Sequence, residues 1–402
     1  MSHSKPSPRS VWLILILGLL TAFDPLSIDM YLPAFPEIQK TFGVGYSTVE
    51  LSLTSFFIGL AFGQLIYGPL SDRYGRKKPL AIGMTLYLLA SLGCAFAPSI
   101  QVLIALRMVQ AVGGCAGMVI SRAMVRDLFD KRRSAQIFSL LMLVMGLAPI
   151  LAPLIGGYLA KYLGWRTIFG LLGLLSLLVS IAAQIFLPET HTGVRHPLTF
   201  RSMLRTYGRL LGDRRFMGFS LSAGAVRAGM FAYITGSPFV FITLFGIKPE
   251  NFGWIFGTNA FGLIAAAQIN SYLLSRYSVE SILGTAILAA GLASTALWMA
   301  AILAPLFWAV LIPLFIFIMT LGLIGPNSAA GALAHQGAQA GAASALMGTL
   351  QWMIAAGAGL LVSRFHDGTT RPMAGVIFGS GLLAVILYFV SNPNGQSPEP
   401  AP

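Results

Sequence analysis

Apolar runs of about twenty residues recur from one end of this chain to the other, and each is long enough to cross a ~30 Å hydrocarbon core as a helix. No other feature restricts the fold so strongly. A water-soluble domain carries about 25% charged residues, whereas here 56% of the 402 residues are hydrophobic and 10% charged. In lipid only helices and closed barrels satisfy their own backbone, and the ten-residue alternation of barrel strands is absent from this sequence. The pattern predicts an all-α membrane protein.

Breaks at charged and Pro- or Gly-rich gaps divide the chain into twelve candidate transmembrane helices, near 11–35, 47–70, 79–97, 100–122, 135–160, 165–187, 216–244, 251–275, 281–303, 306–328, 340–363 and 373–390. The first run follows Lys5 and Arg9, as a signal peptide would. It carries two aspartates and no small-residue cleavage pattern follows, so it is read as a retained span. The expected organisation is a tail at 1–10, a six-helix bundle at 11–190, a linker at 191–215, a second six-helix bundle at 216–390 and a tail at 391–402. Both tails are polar and Pro-rich. "SDRYG" (Ser71–Gly75) has a faint echo in "LSRYS" (Leu274–Ser278) at the matching point of the second half, which supports two pseudo-symmetric repeats.

The net charge of +13 would raise nucleic acid as a partner in a soluble protein. Its placement argues otherwise. With the N-terminus cytoplasmic, inner segments hold eighteen Lys and Arg residues, including Arg73, Arg76, Lys77, Lys78 and the arginines from Arg195 to Arg215; outer segments hold six. That bias puts both termini in the cytoplasm and reads as topology, with no nucleic acid implied. In the linker, Arg201, Arg205 and Arg209 recur every four residues opposite Leu204, Tyr207 and Leu211. This fits an amphipathic helix on an anionic inner leaflet or a solvated basic linker. Cys94 and Cys115 sit in apolar runs as packing residues.

Four ionisable residues fall well inside the spans, away from their ends: Asp24, Asp29, Arg107 and Arg227. Such groups are costly in a bilayer and mark function by default. At a rise of ~1.5 Å per residue, Asp29 and Arg107 both lie roughly 6–12 Å below the outer surface. Their shared depth predicts a pair, with Gln110 one turn from Arg107. Burial favours the neutral carboxyl and a nearby cation the ionised one, so Asp29 is the first candidate proton carrier. Snorkelling of Asp29 to the interface, and a structural Arg107 that caps backbone carbonyls, are the competing readings. Asp24 and Arg227, left at similar depth, form a second candidate pair. Phe23, Tyr31, Phe231, Tyr233 and Trp352 are candidates for the wall of a cavity for lipophilic molecules. No HExxH, P-loop or Ser/His pair of protease type supports an intramembrane enzyme, and the paired charges disfavour a passive channel.

"GPLSDRYGRKKPL" (Gly68–Leu80) resembles the cytoplasmic loop signature of the major facilitator superfamily. "LIALRMVQAVGG" (Leu103–Gly114) resembles its fourth-span motif with a buried arginine, with Ala111 in place of a glycine. "LAPILAPLIGGYLA" (Leu147–Ala160) resembles its fifth-span antiporter motif, through Pro149, Pro153, Gly156 and Gly157, and "LPET" (Leu187–Thr190) the end of its sixth span. "DPLSIDMYLPAFP" (Asp24–Pro36) is similar to the Bcr/CflA drug-efflux subfamily, and the resemblance covers essentially the whole chain. It implies the major facilitator fold and alternating access. It also implies export of drugs or other small lipophilic molecules in exchange for protons across a bacterial inner membrane, with no cofactor. The alternative is a native metabolite as cargo with drugs as incidental substrates. The chain is read as a monomer. The resemblance assigns Gly68, Asp72, Arg73, Gly75 and Arg76 to a conformational latch, with Asp72 helping to hold the two halves together. Gly68 is expected to allow close helix approach and Gly75 a sharp turn.

Overall fold

The computed structural model describes residues 8–190, 200–333 and 340–391. Among them the chain is helical, without a strand. The elements run α1 (Pro8–Asp29), a 3-10 turn (Leu32–Ala34), α2 (Phe35–Phe42), α3 (Tyr46–Tyr74), α4 (Lys77–Ala95), α5 (Ile100–Leu128), α6 (Lys131–Leu163) and α7 (Arg166–Phe186). After these come α8 (Phe200–Gly212), α9 (Arg214–Ser237) with a π-helical continuation (Pro238–Leu244), α10 (Pro249–Leu273), α11 (Val279–Leu303), α12 (Phe307–Leu333), α13 (Ala340–Arg364) and α14 (Arg371–Ser391). Among the described residues twelve helical segments are long and apolar enough to cross a membrane, the first counted from Trp12 through Phe42.

The chain divides into two compact units, Met1–Leu198 with Lys248–Gly253, and Thr199–Ile247 with Trp254–Pro402. The short segment at the start of α10 thus clusters with the first unit. Helix α8 occupies the linker, while 191–199 and most of both tails (1–7 and 392–402) lie outside the described residues. "SDRYG" straddles the α3–α4 junction and "LSRYS" the α10–α11 junction, equivalent places in the two halves.

Several helices outrun the apolar windows that revealed them. Helix α5 continues through Arg122 to Leu128, and α3 through Asp72 to Tyr74, so parts of the expected basic loops are helical. The first span breaks instead of continuing. Pro25 and Pro33 have no N–H to offer the carbonyls of Thr21 and Asp29, and α1 ends at Asp29 before the 3-10 turn.

Hydrocarbon as solvent makes both faces of a helix apolar, so residue size, not polarity, sorts them. In α7, Leu174, Leu178, Ile181 and Ile185 form an exposed stripe, and Leu172, Ser176, Val179 and Ala183 a buried one. Close packing within the first unit rests on glycines. A Cβ at Gly59 would run into the backbone carbonyl of Met108, and one at Gly113 would lie 2.5 Å from Tyr87 N and 2.7 Å from Gly83 O. Gly68 departs from expectation: a Cβ there meets nothing within 4 Å. The close approaches of α3 are at Gly59 and Gly63, further up the helix against α5.

Gly113→Ala therefore destabilises the protein, by about 1–3 kcal/mol for overpacking against backbone, although alanine is the better helix former. Gly170→Ala, where a Cβ meets nothing within 4 Å, leaves stability unchanged or raises it by up to ~1 kcal/mol. Thermal unfolding of both variants in detergent checks the opposite signs.

Candidate functional site

Arg107 lies seven residues into α5 and is fully buried. Its Nη1 donates to Gln110 Oε1 at 2.7 Å, and its Nη2 to the Ser27 carbonyl at 3.0 Å. The guanidinium carbon sits 4.1 Å from the Phe56 ring centroid, 4.6 Å from that of Tyr31 and 5.7 Å from that of Phe169. Ser27 is one of the last four residues of α1, whose carbonyls have no partner within the helix. A cation from another helix is well placed there, because the negative end of the helix dipole points at it.

A hydrogen-bonded chain extends from this centre. Gln110 Nε2 donates to Ser91 Oγ (2.8 Å), and Ser91 Oγ donates to the Tyr87 carbonyl (2.7 Å). The Tyr87 hydroxyl meets Ser27 Oγ at 2.5 Å, and the Tyr31 hydroxyl meets Ser52 Oγ at 2.7 Å. Phe23, Ser27 and Tyr31 recur every fourth residue and present one side of the first span to this network.

Asp29 does not pair with Arg107. The reason is angular. At 100° per residue, Asp29 stands about 200° around the helix from Ser27, so equal depth does not bring the two charges together. Asp29 is buried, and no ion pair among the described residues includes it. The carbonyl-capping reading of Arg107 matches the observed geometry.

Asp24 is 3% exposed, and neither of its oxygens has a hydrogen-bond partner. It lies against α5, where a Cβ on Gly114 would stand 3.2 Å from its Oδ1. The cation that acts on it electrostatically is Arg122 of α5. Asp24 belongs to the first unit and Arg227, its expected partner, to the second. Arg227 belongs to α9 in the second unit, half-buried, with Nη2 near Gly325 of α12. Arg122 stands at the very end of the apolar window near 100–122, where sequence reading passes over it as a partner for Asp24; α5 carries it inside the helix. Glu50 is passed over as well, near the start of its span; it lies one turn into α3 and is fully buried.

The proposed cavity aromatics are largely used in packing. Phe23 stacks edge-on against Tyr87 with centroids 5.0 Å apart, and Tyr31 backs Arg107. In the second unit Phe231 lies 5.3 Å from Trp352, and Tyr233 stacks 5.3 Å from Phe256 while accepting a hydrogen bond from Asn259 Nδ2.

The loop between α3 and α4 forms a second charged centre. Gly75 adopts φ 86°, a left-handed conformation that favours glycine, and a Cβ would lie 2.7 Å from Glu189 Oε2. The turn folds Arg76 inward. Its Nε donates to Asp127 Oδ2 at 2.9 Å, and its Nη1 to Asp72 Oδ1 at 2.6 Å and Ser71 Oγ at 2.8 Å. Burial works against the Arg76 charge, and hydrogen bonds to Asp127 and Asp72 outweigh it, holding its pKa above the usual arginine value. Glu189 accepts from the backbone N–H groups of Arg76 (2.8 Å) and Lys77 (3.1 Å), an anion at the N-terminus of α4. Sequence reading missed Asp127 and left Glu189 without a role, although "LPET" had marked the segment. Arg73 instead lies over the Tyr74 ring at 5.2 Å. In α6, Pro149 and Pro153 are inside the helix, Gly156 leaves room for the Met30 backbone, and Gly157 for that of Pro249 in the same unit.

Residues 17–362 match the family described as the Major Facilitator Superfamily. An uncharacterized MFS-type transporter, YdgK of Bacillus subtilis, is 36% identical, with 97% of each chain covered. A bicyclomycin resistance protein homolog of Haemophilus influenzae is 34% identical, covering 96% of this chain and 97% of its own. Multidrug resistance protein D of Escherichia coli is 29% identical over 88% of each. Among solved structures, a bacterial homolog of the human lysosomal transporter Spinster superposes with a TM-score of 0.75 at 15% identity, covering 99% of this chain and 100% of that one. A D-xylose–proton symporter does so with 0.73 at 14%, covering 95% and 97%.

Asp127 is the less exposed of the two Arg76 partners, its side chain 24% exposed against 48% for Asp72. Asp127→Ala is expected to lower thermal stability more than Asp72→Ala, by about 1–3 kcal/mol for a charge-assisted bond lost from a largely buried donor. Unfolding midpoints of the two variants in the same detergent decide the order.

Proposed function

Since the chain belongs to the Major Facilitator Superfamily and is a transporter, not an enzyme, we propose that it exports small lipophilic drugs in exchange for protons. Its place is the bacterial inner membrane, with both termini in the cytoplasm. The drug assignment is supported by relatives named for bicyclomycin resistance, chloramphenicol resistance and multidrug resistance. The orientation is supported by the excess of Lys and Arg in the segments assigned to the inside.

The observation that carries proton coupling is the Asp24 carboxyl, buried within the first span with no hydrogen-bond partner and with Arg122 as its neighbouring cation. An isolated ionised carboxylate in such a place is costly, and the cost is removed by binding a proton or a cation. Asp24 is thus a group that a proton and a cationic drug would compete for. Asp29, buried five residues further along the same span, is the second proton site. Arg107 acts as a positioning residue. It fixes the end of α1, and with it the places of both carboxyls, through the Ser27 carbonyl. The α3–α4 loop, braced by Arg76, Asp72, Asp127 and Glu189, serves as the latch between alternating states.

The test is transport of a cationic dye by the reconstituted protein, with and without an imposed pH gradient. Gradient-driven accumulation is expected in the wild type, and Asp24→Asn and Asp29→Asn each reduce it at least tenfold while both variants remain folded and inserted. Dye movement indifferent to the gradient would exclude antiport. Full activity of both variants would leave coupling to other groups.

A further inference from the structure

Along α13 and α14 of the second unit runs a groove of about 760 Å³, with Ala228 of α9 and Trp298 of α11 also in its wall. That volume falls within the ~300–1,000 Å³ range of small-molecule sites. On α14 the wall extends from Arg371 to Leu383, twelve residues or about 18 Å at 1.5 Å per residue. One leaflet of a ~30 Å hydrocarbon core is about 15 Å deep. The groove is therefore about as long as one leaflet is thick, and it follows a membrane-spanning helix.

Its chemistry is divided by depth. Leu361, Val376 and Leu383 make most of its length apolar. The one hydroxyl in the wall, Ser380 Oγ, is already donated to the Ile377 carbonyl. Gly357 and Gly379 both line the groove, and a Cβ on either would meet nothing within 4 Å. This is open space, unlike the tight glycine contacts at Gly229 and Gly381 nearby. Charge collects at one end only, where Asp367 and Arg371 stand exposed. Asp367 Oδ1 accepts from the Thr369 N–H (2.9 Å) and hydroxyl (2.7 Å), which fixes the loop. The Arg371 guanidinium enters no hydrogen bond or ion pair among the described residues.

We propose that this groove binds one phospholipid with a primary-ammonium, zwitterionic headgroup, of the phosphatidylethanolamine class. An acyl chain lies over Gly357 and Gly379, the phosphate meets Arg371, and the ammonium meets the remaining oxygen of Asp367. Charge complementarity selects this occupant. A headgroup with phosphate alone leaves Asp367 facing an anion. A choline headgroup has no N–H to donate. A lipophilic cation answers Asp367 and leaves Arg371 without an anion. In the orientation proposed above the mouth opens on the outer leaflet, but binding itself does not depend on orientation.

Native mass spectrometry of the full chain in detergent, with equimolar dipalmitoyl phosphatidylethanolamine, phosphatidylcholine and phosphatidylglycerol, tests the proposal. Phosphatidylethanolamine adducts are expected to dominate. Arg371→Ala should lower their occupancy about tenfold, or ~1.4 kcal/mol for one charge-assisted contact. Gly379→Trp should fill the groove and abolish the adduct, and Gly357→Leu provides the same test should the larger residue impair folding. Equal adducts of the three lipids, or phosphatidylethanolamine occupancy unchanged by Arg371→Ala and by the filling variant, would overturn the assignment. So would loss of tetraphenylphosphonium binding in a filling variant that still holds the lipid, which would make the groove a drug site.

Discussion

The first unit depends on how a guanidinium can be held away from water. Arg107 is fully buried and its charge cannot be shed, so the surrounding helices must supply acceptors and polarisable faces. They do so from four directions: Ser27 at the end of α1, Phe56 on α3, Phe169 on α7 and Gln110 on α5 itself. Gln110 then recruits Ser91 of α4. A stripped buried charge costs about 3–5 kcal/mol, so each of these helices is fixed in register by the need to reach the same ion. The break in α1 is part of that solution, because only a helix end exposes a carbonyl such as that of Ser27.

The carboxyls of the first span follow from the same anchoring. With Phe23, Ser27 and Tyr31 turned toward Tyr87, Arg107 and Ser52, Asp24 is carried to the face of α5 at Gly114, while Asp29 stands about 200° around the helix from Ser27. The arginine that orders the span is therefore not the arginine whose field reaches Asp24. One cation, Arg107, is engaged by backbone and aromatic rings; the other, Arg122, acts on Asp24 electrostatically.

At the α3–α4 loop the same economy is solved with acids. Arg76 is nearly as buried as a core residue, and Asp72, Asp127 and Glu189 come from three separated parts of the first unit to hold it and the start of α4. Elsewhere, contact with lipid asks only for apolar surface, as along α7, so small residues mark where helices touch and large ones where they do not. The groove of the second unit breaks that rule with two glycines that touch nothing, below a lone pair of charges.

Much of this was legible in the amino-acid order. Run length against bilayer thickness gave twelve spans, the α3–α4 signature gave the turn at Gly75, and the rarity of charge in apolar runs singled out Asp24, Asp29, Arg107 and Arg227. Those signals are one-dimensional, and the physics behind them is transfer of a segment or a side chain between water and lipid, which a sequence records directly. Azimuth is different. Whether Asp29 or Ser27 faces Arg107 depends on where α1 ends and how it packs, and depth along the axis carries no information about it. Helix length beyond the hydrocarbon is also hidden, so Asp127 falls in a loop until α5 is seen to run on, and Arg122 and Glu50, at the ends of their windows, are passed over. Sequence alone determined which residues enter the membrane. Only the tertiary structure decided which of them meet, because a charge in low dielectric is answered by whatever group packing brings within about 3 Å of it, regardless of distance along the chain.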